Sequence, residues 1–130
     1  MFSIILGLVL AAGAEPTSEQ PEMAVANSWV QLVDKQRWDD SWTAAGTLFK
    51  TQMPQTRWAS TIASVRVPLG PVSSRVVRAV TKPKSLPGAP DGDYEVVQFD
   101  TSFANKAVST ETVVLSREAT GWKVDGYFIR

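Results

Sequence analysis

Glu118-Ala119-Thr120-Gly121-Trp122-Lys123-Val124-Asp125-Gly126-Tyr127-Phe128-Ile129-Arg130 closes the chain. A turn ending in Gly121 leads into an apolar-rich run with no helical step, so the stretch reads as the last hairpin arm of a sheet. Working backwards, Val108 to Arg117 sets Val113 and Leu115 on one side and Val114 on the other, and Ala104-Asn105-Lys106 is a short turn. Tyr94 to Phe103 alternates, with Val97, Phe99, Thr101 and Phe103 on one face and Tyr94, Val96, Gln98, Asp100 and Ser102 on the other. Ser74 to Thr81 is a further strand, and Lys82 to Asp93, interrupted by Pro83, Pro87, Gly88, Pro90 and Gly92, reads as a loop.

Upstream the period changes from two to that of a helix. Ala26, Trp29, Val30 and Val33 recur at three- and four-residue steps and predict an amphipathic helix from about Pro21 to Gln36. Asp39 and Asp40 can cap a second helix, on which Trp38, Trp42, Ala45 and Phe49 share a face. Pro54 suits the first position of a third, lined by Trp58, Ile62, Val65 and Arg66, and Pro68, Gly70 and Pro71 stop it soon after. Three helices followed by a meander of about four antiparallel strands predict an α+β fold, a curved sheet wrapped on helices over residues 22–130. A concave face that the helices only partly fill leaves room for a ligand.

Phe2 to Ala14 is an unbroken apolar run followed by Glu15-Pro16, and Ala12-Gly13-Ala14 has the small-x-small form of a signal-peptidase site. The expectation is a secretory signal cut after Ala14, a polar leader over residues 15–21, and a secreted or periplasmic mature protein. The run is shorter than the roughly 20 residues a membrane span needs. Thirteen basic and thirteen acidic side chains cancel, giving no global field toward nucleic acid or anionic lipid. His and Cys are both absent, which removes Ser-His-Asp and Cys-His catalysis, thiolate redox chemistry, disulfides and nearly all zinc sites. Asp91-Gly92-Asp93 is too short for a calcium loop and reads as a turn, so neither metal nor cofactor is expected.

Taken together, Trp29, Val33-Asp34, Trp38, Ser41-Trp42, Phe49-Lys50, Trp58, Arg66-Val67-Pro68-Leu69-Gly70, Ser74-Arg75, Glu111 and Gly121 to Ile129 resemble the domain of unknown function 4019 family. The resemblance covers nearly all of the mature chain. It implies a bacterial protein with a signal sequence and a cone-shaped fold similar to the cystatin-like or nuclear transport factor 2-like group. It brings no activity, substrate or catalytic residue.

Trp42, Trp58, Arg66, Arg75 and Glu111 are the candidate pocket residues. Arg66 lies on an otherwise apolar helix face, where its guanidinium would clamp an anionic ligand or, on the reading that position favours, cap its own helix end. Glu111 shares strand parity with Val113 and Leu115, so it faces the core, within reach of Arg75 on another strand. Burying such a pair is costly and needs a reason, structural or ligand-binding. Trp29, Trp42 and Trp58 are expected in the core, with Trp38 and Trp122 partly exposed. Tyr127 is expected on the outer face of the sheet, opposite in parity to Trp122, Val124 and Phe128.

The reading that follows is an exported, non-catalytic binding module for a small apolar or anionic ligand or a protein. One alternative is an isomerase- or cyclase-like enzyme with Glu111 or Asp100 as base and Tyr94 as hydrogen-bond donor. Another is a structural protomer that forms a homodimer through the outer face of its sheet.

Overall fold

A computed structural model describes residues 20–130; the expected signal sequence over residues 1–14 and most of the expected leader over 15–21 lie outside the described residues. Among the described residues four helices precede four strands: α1 (Pro21–Asp34), α2 (Trp38–Ala44), α3 (Thr47–Gln52), α4 (Gln55–Leu69), β1 (Val72–Thr81), β2 (Tyr94–Phe103), β3 (Lys106–Glu118) and β4 (Gly121–Ile129). The strands form one antiparallel sheet in the order β1-β2-β3-β4, an α+β meander. None of the described helices is long and apolar enough to cross a membrane.

The segment expected as a second helix is two. α2 ends at Ala44, Ala45 and Gly46 turn extended, and α3 starts at Thr47. The break has a cause in the sheet: Gly46 N–H donates to the Val124 carbonyl at 2.8 Å, and the Glu118 carboxylate accepts from Thr47 N–H at 2.7 Å. A Cβ on Gly46 would sit 2.3 Å from Asp125 Oδ1 and 3.0 Å from Lys123 Cβ, so a side chain cannot approach β4 this closely. Gly46→Ala is expected to destabilise by about 1–3 kcal/mol in urea titrations, the usual penalty for overpacking a tight contact.

α1 lies against β2, β3 and β4, α3 against β4, and α2 bridges α1 and α4. The core between these layers holds Trp29, Phe49, Trp58 and Tyr127 edge-on or tilted to one another, with ring centroids 4.8–6.5 Å apart. Ser41, fully buried, satisfies both indoles: its carbonyl accepts from Trp29 Nε1 at 2.8 Å and its hydroxyl from Trp58 Nε1 at 2.9 Å. Trp42 is not in this core. It is half-buried, donates to the Met53 carbonyl at 2.6 Å and carries the Lys50 ammonium 5.5 Å above its ring. The kink after Ala44 takes it off the stripe that Phe49 continues.

Tyr127 is also corrected. Leu115 pairs with Val124 but Val114 pairs with Gly126, so Asp125 is an extra residue, a β-bulge. The bulge inverts parity within β4, so that Val124 and Tyr127 both face the helices while Phe128 stands on the outer face, 61% exposed. On that outer face Phe128 and Val76 are separated by the polar Gln98, Asp100, Thr110 and Thr112 of the central strands.

Candidate functional site

α1 ends in a Schellman turn, with Arg37 N–H donating to the Leu32 carbonyl at 2.9 Å and Gln36 N–H to that of Val33 at 3.0 Å. Glycine is usual at the left-handed position of this motif; here it is Gln36, at φ 60°. Such a conformation costs about 1–3 kcal/mol and tends to persist at functional sites. Asp34 stands in the last turn of α1, where a carboxylate opposes the helix dipole and no basic residue of the helix compensates it.

Compensation comes from α4 and β1. Arg66 Nη2 donates to Asp34 Oδ1 at 2.8 Å, and Arg75 donates from Nη1 to Oδ2 at 2.8 Å and from Nη2 to Oδ1 at 2.9 Å. Arg75 also grips Glu111, through Nε to Oε1 at 2.7 Å and Nη2 to Oε2 at 3.1 Å. Thr101 and Tyr127 donate their hydroxyls to Glu111, one to each carboxylate oxygen, and Arg66 Nη1 reaches the Tyr127 oxygen at 3.3 Å. Both guanidiniums lie over aromatic rings, Arg66 on Phe103 at 4.8 Å and Arg75 on Phe99 at 5.8 Å. Two cations and two anions are thus interlocked at one end of the inner sheet face.

The electrostatics follow from this geometry. Burial alone would raise the Asp34 carboxyl, but the Arg75 and Arg66 guanidiniums more than offset it and hold it below its ordinary 3.8. That stabilisation is present above the ordinary value and lost as pH falls through the lowered one. Burial opposes the charged form of Arg75 too, and its bonds to Asp34 and Glu111 override that, fixing it as a cation. Burial first, then the Glu111 charge, pushes the Tyr127 phenol far up, so it serves as a donor at every physiological pH.

A cavity of about 230 Å³ opens on this network, with Asp34, Gln36, Trp38, Arg66, Val67 and Pro71 in its wall. Arg66 is 5% exposed, and its Nε–H, buried, has no acceptor among the described residues. An unmade bond on a buried guanidinium is costly, and a ligand oxygen would satisfy it.

Of the five residues picked from sequence, Arg66, Arg75 and Glu111 come together here. Trp58 lies behind them in the core, and Trp42 packs against the core from its edge, bonded to the Met53 carbonyl. Arg66 does not cap its helix, which runs on to Leu69 and closes at Gly70, φ 77°; its side chain points inward to Asp34. Asp100 stands on the outer face, more than half exposed, 3.4 Å from Arg78, and the Tyr94 hydroxyl donates to the Pro90 carbonyl. Neither approaches Glu111. Asp34, Thr101 and Gln36 were not among the residues picked for the site, although alternation places Thr101 on the same face as Phe99. Asp34 had a weak signal, an acid at the end of a helix whose last turn holds no basic residue; Gln36 had none.

The pairing of Asp34 on α1 with Arg66 and Arg75, and of Arg75 with Glu111 on β3, joins residues spread over most of the chain. That same span, residues 25–127, matches the model of a family described as "Protein of unknown function (DUF4019)". The chain belongs to the DUF4019 family. The matched stretch contains the entire network and the wall of the cavity over Arg66. No curated protein matches the chain.

Proposed function

We propose that this DUF4019 protein is an exported, non-catalytic binding module whose small ligand enters the cavity over Arg66. The observation that carries the reading is the Arg66 Nε–H, buried without an acceptor at the wall of a cavity of about 230 Å³. The ligand would present an oxygen acceptor, carbonyl or carboxylate, to Arg66 and an apolar body to Trp38, Val33, Val67 and Pro71. Rigid walls support binding: both guanidiniums are locked by ion pairs and rings, so little ordering entropy is lost on association. Catalysis has less support, because Glu111 accepts four hydrogen bonds and has no free lone pair aimed at a substrate. Export rests on the apolar run and small-x-small site before Glu15.

Native mass spectrometry of protein from the exported fraction tests both parts. The expected mature chain begins at Glu15 and carries a small molecule that is lost on denaturation. Arg66→Lys, which keeps the charge but has no Nε–H fork, is expected to lose that mass while still folding. A clean protein, together with no amide shifts around Asp34 and Trp38 in an NMR screen of small carbonyl and carboxylate compounds, would sink the binding reading. A chain retaining Phe2 to Ala14 would sink the export reading.

A further inference from the structure

A second buried acidic pair lies away from the Arg66 site, where the start of α1 meets the edge of the sheet. Glu22, in the first turn of α1, and Glu95, on the inner face of β2, are both buried, Glu95 to 2% exposure. They share one cation: Lys82 Nζ is 3.5 Å from Glu22 Oε2 and 3.8 Å from Glu95 Oε1, on a side chain that is 64% exposed. Glu95 Oε1 is buried and accepts no hydrogen bond from the described residues. Across β3 the neighbour of Glu95 is Leu115, which brings no charge. None of the cavities described has Glu22 or Glu95 in its wall.

A buried carboxylate oxygen without a donor, set against a second carboxyl, is the arrangement that a single shared proton completes. We infer that Glu22 and Glu95 form a proton-operated latch: one proton held between them clamps the first turn of α1 to β2, and its loss lets that turn release. With both groups ionised, the half-exposed Lys82 ammonium, beyond hydrogen-bonding distance of either, offsets only part of the repulsion. The charges arrange themselves accordingly. Burial, and then the contact with Glu22, push the Glu95 carboxyl up from 4.5 to about 7, while Glu22 is lowered, chiefly by its hydrogen bond to the backbone N–H at the helix start. A carboxyl raised in the folded state stabilises fully below its ordinary value, and that stability is lost as pH rises toward 7.

The test is backbone hydrogen exchange at Ala24, Val25 and Ala26, the first amides to close on the carbonyls of the turn that Glu22 belongs to, between pH 5 and 8.5, corrected for intrinsic rates, beside thermal unfolding over the same range. In the native sequence these three amides are expected to lose roughly 10- to 100-fold protection above neutral pH, while β3 amides lose none beyond the global change. Glu95→Gln, which donates permanently, removes the pH dependence and leaves protection at its low-pH level. Lys82→Met shifts the transition to higher pH, because the ionised pair loses its cation. Should Glu95→Gln fail to fold, carbon-13 NMR of the Glu95 carboxyl in the native chain decides: an inflection near neutral pH supports the latch. An inflection at or below the ordinary value, or a Glu95→Gln protein with unchanged pH dependence, overturns it.

Discussion

Arg75→Met is expected to lower stability by about 3–5 kcal/mol, the loss seen when one partner of a buried ion network is removed. Among the described residues only Arg75 bonds to both carboxylates, with two bonds to Asp34 and two to Glu111. Without it Glu111, fully buried, keeps only the Thr101 and Tyr127 hydroxyls, and its charge has no counterion within bonding distance. Asp34 retains Arg66 and is partly solvated, so most of the loss falls on Glu111. Arg75→Lys, a point charge without the fork, is expected to fall between the two because it serves one carboxylate at a time. Urea denaturation midpoints at neutral pH give the comparison. An Arg75→Met protein as stable as the native chain would mean that the network contributes specificity and no net energy.

Trp58→Ala is the other large effect, about 3–5 kcal/mol for an aromatic deleted from a packed core. Its ring is edge-on to Phe49 at 4.8 Å and tilted against Trp29 at 6.0 Å, so the cavity left behind is lined by two large groups that cannot both collapse into it. Trp58→Phe separates packing from hydrogen bonding. It keeps most of the apolar area and loses the Nε1 bond to the Ser41 hydroxyl, for about 0.5–1.5 kcal/mol plus the missing ring. Ser41 Oγ still donates to the Trp38 carbonyl at 2.6 Å, so the hydroxyl is not orphaned and the smaller figure is expected. Equilibrium unfolding by tryptophan-independent circular dichroism measures both variants.

The two predictions address different parts of one design. Trp58 and its neighbours hold α1 and α4 against the sheet, which places Asp34 and Arg66 side by side, and the ion network then fixes β1 and β3 relative to both helices. Loss of the aromatic core therefore also opens the Arg66 cavity, whereas loss of Arg75 leaves the core packed. Ligand binding measured on the two variants would separate the contributions.

Local pattern determined a good deal about this protein. Period-two alternation marked β2 and β3 and put Glu111 and Thr101 on the buried face; the 3.6 period marked α1 and α4; Pro68, Gly70 and Pro71 marked where α4 stops. These are properties of a few consecutive residues, so the chain states them without help from its folded neighbours. Only the tertiary structure decided the rest. The break between α2 and α3 exists because β4 presses on Gly46, and Tyr127 faces inward because a bulge at Asp125 shifts the register against β3. Asp34 meets Arg66 and Arg75 across 32 and 41 residues of sequence. Contacts of that span depend on how whole elements pack and which register a strand pair adopts, and no periodicity within one element encodes either.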